Sequence, residues 1–160
     1  MRAIQIVGRK KSGKTGLVVE LIPLLQQRGQ RVGSVKHSSH PHALDREGTD
    51  SWRHREAGTT ATLAITAASV SLHFAVPEAE SQVVALVEKY LGDLDVILIE
   101  GWKSMHGPRI EVLPADKQGR PRPPRYGGEG DLVAVVLAAG LRPSPEEIAA
   151  LELTVPCFAW

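Results

Sequence analysis

The chain has 160 residues, of which 42% are hydrophobic and 23% are charged. These proportions are typical of an ordinary globular domain, and they exclude a disordered chain, a coiled coil and a collagen-like fibre. Nineteen Lys and Arg residues against eighteen Asp and Glu residues leave a net charge of +1, a balance that argues against a general binder of nucleic acid or of membrane surfaces.

The first quarter of the chain predicts one βαβ unit. Residues 4–7 are a β-branched run typical of a strand, and a Gly-rich basic turn follows at 8–15. Apolar residues then recur at helical spacing as far as residue 25, with Pro23 inside the helix, where we expect a kink. Residues 33–36 indicate a second strand, so the two strands are parallel and joined by a right-handed crossover.

The middle of the chain is more polar. Residues 37–50 read as a long loop rich in His, Asp and Gly, and Asp50 is the expected cap of a short helix that runs through residue 55. Two β-prone runs follow at 62–66 and 70–75, before an amphipathic helix at 78–91.

The last part of the chain alternates buried strands with loops. Continuous apolar character indicates strands at 95–99, 110–113 and 132–137, and a short helix is expected at 145–151. We find no internal repeat and no convincing linker. The sequence therefore predicts a single α/β domain over residues 1–160, with a mostly parallel central sheet flanked by helices, of the P-loop NTPase-like class.

The turn at 8–15 carries the strongest chemical signal. It fits the phosphate-binding pattern G-x-x-x-x-G-K-[ST], and the predicted nucleotide-binding residues are Gly8, Arg9, Lys10, Lys11, Ser12, Gly13, Lys14 and Thr15. The two glycines permit a tight turn whose N–H groups face the phosphates, with the start of the helix beneath. Arg9, Lys10 and Lys11 are at the variable positions of the pattern, and the favoured interpretation of their side chains is that they are solvated around this backbone cradle. Lys14 is expected to reach the β- and γ-phosphates as a catalytic cation, and Thr15 to ligate Mg²⁺.

A second acidic group is needed to hold the metal, and Glu100 supplies it. It ends the buried run at 95–99, at the carboxyl edge where open α/β sheets bind ligands. We predict Glu100 as a Mg²⁺ ligand with Thr15 and as a catalytic residue with Lys14. Gly101 is expected to permit close approach to the nucleotide. A salt bridge at the end of the strand is the alternative role for Glu100.

The polar loop contributes further candidates. Lys36, Asp50 and Arg53 are predicted to contact phosphate, Mg²⁺ or a second substrate, the alternative being an ordinary charged loop. Three histidines, His37, His40 and His42, raise the possibility of zinc, but their spacing matches no standard site.

A second basic segment lies among prolines near the C-terminal end. Its arginines are Arg120, Arg122 and Arg125, and a flexible, solvated loop is the favoured interpretation. Two alternatives stay open: binding of an anion, or a mobile lid of a small-molecule P-loop kinase.

Several motifs together resemble the molybdopterin-guanine dinucleotide biosynthesis protein B family. They are the turn at 8–15, then VGSVKH at 32–37, DREGTDS at 45–51, RHREAG at 53–58, ILIEGWK at 97–103 and PRIEV at 108–112. The chain departs from the family pattern at Gly16, where a second Thr is usual, at Arg109, where Lys is usual, and at Ser38 and Ser39.

The resemblance implies a GTP-binding protein with weak GTPase activity, usually a homodimer. Such a protein assists the guanylyltransferase enzyme that attaches GMP to molybdopterin, and molybdopterin itself is a candidate ligand. GTP rather than ATP rests on the resemblance alone, because the sequence has no N-K-x-D motif for reading guanine. A non-catalytic nucleotide-binding adaptor is a further alternative.

Location follows from simpler features. The single cysteine, Cys157, cannot form an intrachain disulfide, no apolar run approaches the roughly 20 residues of a membrane span, and basic residues interrupt any signal-peptide pattern. We therefore expect a cytoplasmic protein with no membrane or nucleic-acid partner.

Overall fold

The computed structural model describes residues 2–38, 44–75, 77, 79–126 and 131–160. The chain divides into two compact units: a sheet unit, made of the residues up to His37 and from Leu91 onward, and a hairpin unit, made of residues 38–90. None of the helices in the described ranges is long and apolar enough to cross a membrane.

The described residues form eight β-strands and four α-helices. They are β1 (Ala3–Gly8), α1 (Lys14–Gln27), β2 (Val32–Lys36), α2 (Asp50–Glu56), β3 (Ala61–Ile65), β4 (Val70–Phe74), α3 (Glu80–Leu91), β5 (Val96–Glu100), β6 (Arg109–Leu113), β7 (Leu132–Leu137), α4 (Pro145–Ala149) and β8 (Cys157–Phe158).

The sheet unit contains a six-stranded sheet in the order β2-β5-β1-β6-β7-β8. Each pair of neighbouring strands is parallel, so the prediction of a mostly parallel sheet is confirmed. The sequence did not predict β8, a two-residue strand at the edge of the sheet. All six strands end at the same edge, and β1 lies in the middle, between β5 and β6.

The core of this unit forms where α1 covers the sheet. Leu17 and Val18 of the helix pack against buried residues of four strands: Ile6, Leu98, Val112 and Val136. The alternate residues of β6 and β7, Leu113, Val135 and Leu137, belong to a second buried cluster. Both faces of these strands are therefore covered, which explains their continuous hydrophobic runs. Helix α1 continues through Pro23. The carbonyl that Pro23 leaves without a helical donor belongs to Val19, an exposed residue of the helix.

The short helices begin at side-chain caps. The hydroxyl of Thr49 accepts a hydrogen bond from Trp52 N at 3.3 Å, so Thr49 caps α2 and Asp50 is its first residue. The prediction that Asp50 is the cap was wrong by one position. Helix α4 begins at Pro145, as predicted, behind a capping box formed by Ser144 and Glu147.

The segment at 114–126 is hydrogen-bonded to the sheet at its C-terminal end, and its residues Arg120 and Arg125 are exposed, as expected of a solvated loop. Glu111, 1% exposed on β6, accepts hydrogen bonds from Arg125 N at 2.9 Å and Tyr126 N at 3.0 Å. Asp116 accepts from the backbone of Arg120 at 2.9 Å and pairs with its guanidinium at 3.1 Å. Glu111 thus fixes the end of the segment at 125–126, whereas the pairing of Asp116 with Arg120 lies within the segment, and the alternative of a kinase lid stays a prediction.

The hairpin unit contains the antiparallel pair β3 and β4, closed by a turn in which Thr66 N donates to Ser69 O at 2.9 Å. The pairs Ala61 with Phe74, Leu63 with Leu72 and Ile65 with Val70 lie on one face. Five large apolar side chains on this face are exposed: Leu63, Ile65, Val70, Leu72 and Phe74. We refer to it as the apolar hairpin face.

The role of Glu111 is open to a direct test. In Glu111→Gln, an amide NH₂ replaces one carboxylate oxygen and faces an N–H donor instead of accepting from it, and the negative charge that strengthens the remaining hydrogen bonds is lost. We expect a loss of about 1–3 kcal/mol in the free energy of unfolding, measured by urea denaturation. Glu88→Gln, at an exposed position of α3, is the matched control and should change stability little. Equal effects of the two substitutions would contradict the anchoring role.

Candidate functional site

The turn after β1 and the start of α1 border a pocket at the carboxyl edge of the sheet. Its volume is about 490 Å³, and it is lined by Lys10, Lys11, Ser12, Gly13, Lys14, Thr15, Lys36 and Glu100. Each of these residues was predicted from the sequence as a nucleotide or metal contact. The structure therefore brings together most of the predicted site within the sheet unit.

Gly8 is required at the end of β1 by close backbone packing. Its φ is +141°, and a Cβ there would lie 2.7 Å from Val112 O and 2.8 Å from Ser12 Oγ. Gly13, with φ at +97°, precedes α1 in a left-handed conformation. The two glycines of the pattern thus serve a tight turn, as expected, and Gly8 in addition allows the turn to lie against β6.

The turn presents unpaired donors to the pocket. The first helical bond of α1 runs from Leu17 N to Gly13 O at 3.0 Å, so the N–H groups of Lys14, Thr15 and Gly16 precede the hydrogen-bonded helix. Ser12 is 1% exposed, and its Oγ has no hydrogen-bond partner within the described ranges. Free N–H groups with an orphaned hydroxyl suit an anion such as phosphate.

Lys14 closes over the turn. Its Nζ donates to Arg9 O at 2.7 Å and to Gly8 O at 3.2 Å. Burial lowers the pKa of this ammonium below its ordinary value, while the nearby Glu100 carboxylate acts in the opposite direction. A bound anion would also favour the charged form.

Glu100 connects the turn to the neighbouring strands. It is 6% exposed, and the hydroxyl of Thr15 lies 2.9 Å and 3.0 Å from its two carboxylate oxygens. Lys36, opposite Glu100 in the register of β2 with β5, forms an ion pair with the same carboxylate. The salt bridge considered as an alternative is therefore present, beside the predicted partnership of Thr15 and Glu100.

The donor set at this point suits a hard cation. A hydroxyl and a carboxylate offer the oxygen ligands that Mg²⁺ prefers, and Mg²⁺ usually takes its remaining ligands from water and substrate phosphates. In the described part of the chain, no group of three or more His, Cys, Asp or Glu residues could hold a metal by itself. His40 and His42, two of the three histidines considered for zinc, lie outside the described residues.

Two predicted contacts lie elsewhere in the chain. Asp50 and Arg53 belong to α2 of the hairpin unit, where both are exposed. Their predicted contacts with phosphate, Mg²⁺ or a second substrate stay predictions. Arg9 contributes its carbonyl to Lys14 and does not line the pocket.

One glycine beside the site has a packing partner that the sequence did not indicate. A Cβ at Gly101, where φ is +85°, would lie 2.7 Å from His37 O. The approach of the backbone that follows β2 thus requires a glycine here, and the predicted approach of a nucleotide to Gly101 stays a prediction. His37 also stacks on the buried ring of Trp102, with centroids 5.4 Å apart.

Sequence reasoning also missed Trp160, which contacts Gly13 and Gly16 at the start of α1. The sequence shows glycines at these two positions. It does not show that the residue packed against them is Trp160, at the other end of the chain.

Comparison with known proteins gives consistent matches. The family model for molybdopterin guanine dinucleotide synthesis protein B (MobB) matches residues 3–138. A molybdopterin-guanine dinucleotide biosynthesis adapter protein of Haemophilus influenzae is 35% identical over 119 residues, which cover 74% of this chain and 66% of that protein. A protein of the same description from Escherichia coli is 35% identical over 94 residues, or 58% and 54% of the two chains.

The matched segments thus span between about half and two thirds of these relatives. Among solved structures, Bacillus subtilis MobB superposes with a TM-score of 0.70 at 21% identity, covering 99% of this chain and 90% of that one. At that identity the likeness concerns the fold, and it agrees with the predicted P-loop NTPase-like class.

The packing at Gly8 predicts a large effect of a single methyl group. Gly8→Ala should lower the free energy of unfolding by about 2–3 kcal/mol, because the new Cβ combines an unfavourable φ with a backbone clash. Gly119→Ala is the matched control, since φ is +80° there but a methyl group would have nothing within 4 Å of it. If urea denaturation shows the same loss of unfolding free energy in both variants, the clash with Val112 does not contribute to the destabilisation.

Proposed function

The chain belongs to the MobB family, and from that membership we propose that it is a GTP-binding adapter of molybdopterin guanine dinucleotide synthesis. In this proposal it binds GTP with Mg²⁺ at residues 8–15, hydrolyses the nucleotide slowly, and assists the guanylyltransferase that attaches GMP to molybdopterin. The similar proteins of Haemophilus influenzae and Escherichia coli are adapter proteins of molybdopterin-guanine dinucleotide biosynthesis.

The hydrogen bond between Thr15 and Glu100 is the main support for the nucleotide assignment. The two residues come from different elements, and the hydroxyl lies 2.9 Å from the carboxylate. A surface turn rich in Gly and Lys has no need of such a partner. A turn that holds a metal–triphosphate needs an acidic group at this point, and the contact therefore supports the assignment.

Each residue of the pocket has a separate task in this proposal. The N–H groups at the start of α1 bind phosphate oxygens, and the Lys14 ammonium leaves the carbonyls of the turn to neutralise the β- and γ-phosphates. Thr15 and Glu100 would hold Mg²⁺, which supplies charge neutralisation at the phosphates. Glu100 also accepts a hydrogen bond from a water and so orients it for attack. Lys36, paired with Glu100 in this structure, is close enough to add positive charge at the mouth of the pocket.

The hairpin unit supplies surfaces for the partners in this proposal. Asp50 and Arg53 lie on α2, and we assign them to contacts with the guanylyltransferase or with molybdopterin, whose phosphate suits a guanidinium. The proposed location is the cytoplasm, where nucleoside triphosphates are synthesised.

We also propose a homodimer formed through the apolar hairpin face. The two strands have their polar side chains on the other face, where Thr62 is buried and bonded to Thr59 at 2.9 Å. A two-stranded sheet with its apolar side chains outward is the reverse of the usual arrangement. A second copy presents the same apolar face, so pairing across a two-fold axis would bury both at once.

Calorimetric titration with GTP tests the nucleotide assignment. We expect the wild-type chain to bind GTP with Mg²⁺, and Lys14→Ala to bind it at least tenfold more weakly because it removes the charge over the phosphates. Glu100→Gln should reduce binding and hydrolysis in Mg²⁺ more than binding in EDTA, because its amide is a poor metal ligand.

The control for charge is Lys89→Ala, an exposed lysine of α3 in the hairpin unit. It should bind GTP as the wild type does. Unchanged GTP affinity in Lys14→Ala would refute the assignment of residues 8–15. Equal losses with and without Mg²⁺ in Glu100→Gln would refute the metal role.

The homodimer is tested by the mass in solution. We expect a dimer at micromolar concentration for the wild type, and a monomer for Ile65→Lys, which places a charge at the 70% exposed end of the apolar hairpin face. Ser71→Lys, on the opposite face of β4 and also exposed, should stay dimeric. Light scattering distinguishes these outcomes, and a monomeric wild type would contradict the proposal.

A further inference from the structure

The indole of Trp160 stands against the backbone at the start of α1. A Cβ at Gly16 would lie 2.7 Å from Cη2 and 3.2 Å from Cζ2 of this ring, and one at Gly13 would lie 3.0 Å from Cζ3. The six-membered edge of the indole therefore occupies space that a side chain would need at either position. Because Gly16 has an ordinary helical φ, the ring and not the backbone is what calls for a glycine there.

Three contacts outside these glycines hold Trp160 in place. Its Nε1–H donates to the carboxylate of Glu20, one turn further along α1. Its carbonyl accepts from Arg142 Nη1 at 3.1 Å and from Gly140 N at 3.4 Å, both in the segment after β7. Glu20 thus fixes the side chain of Trp160, and Arg142 and Gly140 fix its main chain, while the residue as a whole remains partly exposed.

The order of the strands sets the direction in which a nucleotide would extend. Glu100 and Lys36 lie on β5 and β2, to one side of β1, and they meet the turn at Thr15. Trp160 follows β8, on the other side of β1, and meets α1 at Gly16, the last N–H before the hydrogen-bonded helix. With the metal end of a triphosphate at Glu100, its nucleoside end points towards Trp160.

We infer that Trp160 is the platform for the nucleoside, placing the base or the ribose beside its indole. This assignment rests on the proposed function and adds a nucleoside-binding residue to the same pocket. A tryptophan whose indole N–H is bonded to Glu20 and whose carbonyl is bonded to Arg142 offers a rigid aromatic surface, and stacking on such a surface accepts any base. The platform therefore strengthens binding of GTP and ATP alike, and a preference for guanine has to come from other groups.

The test compares nucleotides with a ligand that has no nucleoside. Trp160→Ala should bind GTP and ATP about tenfold or more weakly in Mg²⁺, by calorimetry, as expected for a lost stacking partner. It should bind inorganic tripolyphosphate as the wild type does. Phe158→Ala is the matched control: this aromatic residue lies two positions away on β8, is 55% exposed, and should leave all three affinities unchanged.

Gly16→Ala provides an independent variant that keeps the tryptophan. Alanine favours a helix more than glycine does, so loss of the helix cannot explain a weaker affinity. The new methyl group should displace the indole and weaken GTP binding several-fold, but it should have no effect in the Trp160→Ala background.

Each result decides between roles. Equal weakening of GTP and tripolyphosphate in Trp160→Ala would mean that the ring merely supports the turn, and tighter GTP binding would mean that it blocks the pocket; either overturns the platform. Unchanged GTP binding in Trp160→Ala overturns it as well, while the proposed function stands. Failure of the wild-type chain to bind GTP overturns both proposals.

Discussion

The parallel pairing of β1 with β5 is the constraint on which the candidate site depends. Its register places Ile6 opposite Glu100, so the turn that leaves β1 and the carboxylate that ends β5 arrive at the same edge of the sheet. The hydroxyl of Thr15 then reaches Glu100 without any loop having to carry either group. A shift of one residue in this register would turn Glu100 to the opposite face. The precision of the site thus comes from strands in the core of the sheet.

Two glycines near this edge lie where two segments of backbone approach each other closely. Gly8 lies against Val112 of β6, and Gly101 lies against His37 after β2. Both positions have positive φ, and at both a Cβ would meet a carbonyl oxygen. Gly16 differs, because its neighbour is an indole ring. The same residue type thus serves turn geometry at two positions and side-chain packing at a third.

Buried charge in the sheet unit has two distinct uses. Glu111 is enclosed and satisfied by the backbone of 125–126, which is the arrangement of a structural carboxylate. Glu100, also buried, is bonded instead to a hydroxyl and an ammonium, both of which can be exchanged for other partners. Two carboxylates of similar burial therefore differ in whether a ligand can compete for them.

Local patterns in the sequence were enough to predict much of this protein. The G-x-x-x-x-G-K-[ST] turn, the helix that follows it, the buried strands and the partnership of Thr15 with Glu100 all follow from periodicity and from the common edge of parallel strands. The two hairpin strands were also predicted, because each is a run of neighbouring residues that favour the β conformation.

Only the tertiary structure decided the rest. Four features depend on residues that are separated in the chain. They are the strand β8, the contact of Trp160 with Gly16, the hydrogen bonds of Glu111 to residues 125 and 126, and the close approach of Gly101 to His37. A local pattern reports which backbone conformations neighbouring residues favour, whereas these features arise from which distant surfaces meet. The outward apolar face of the hairpin belongs to the same class, since alternation along a strand defines two faces and only packing determines which of them is covered.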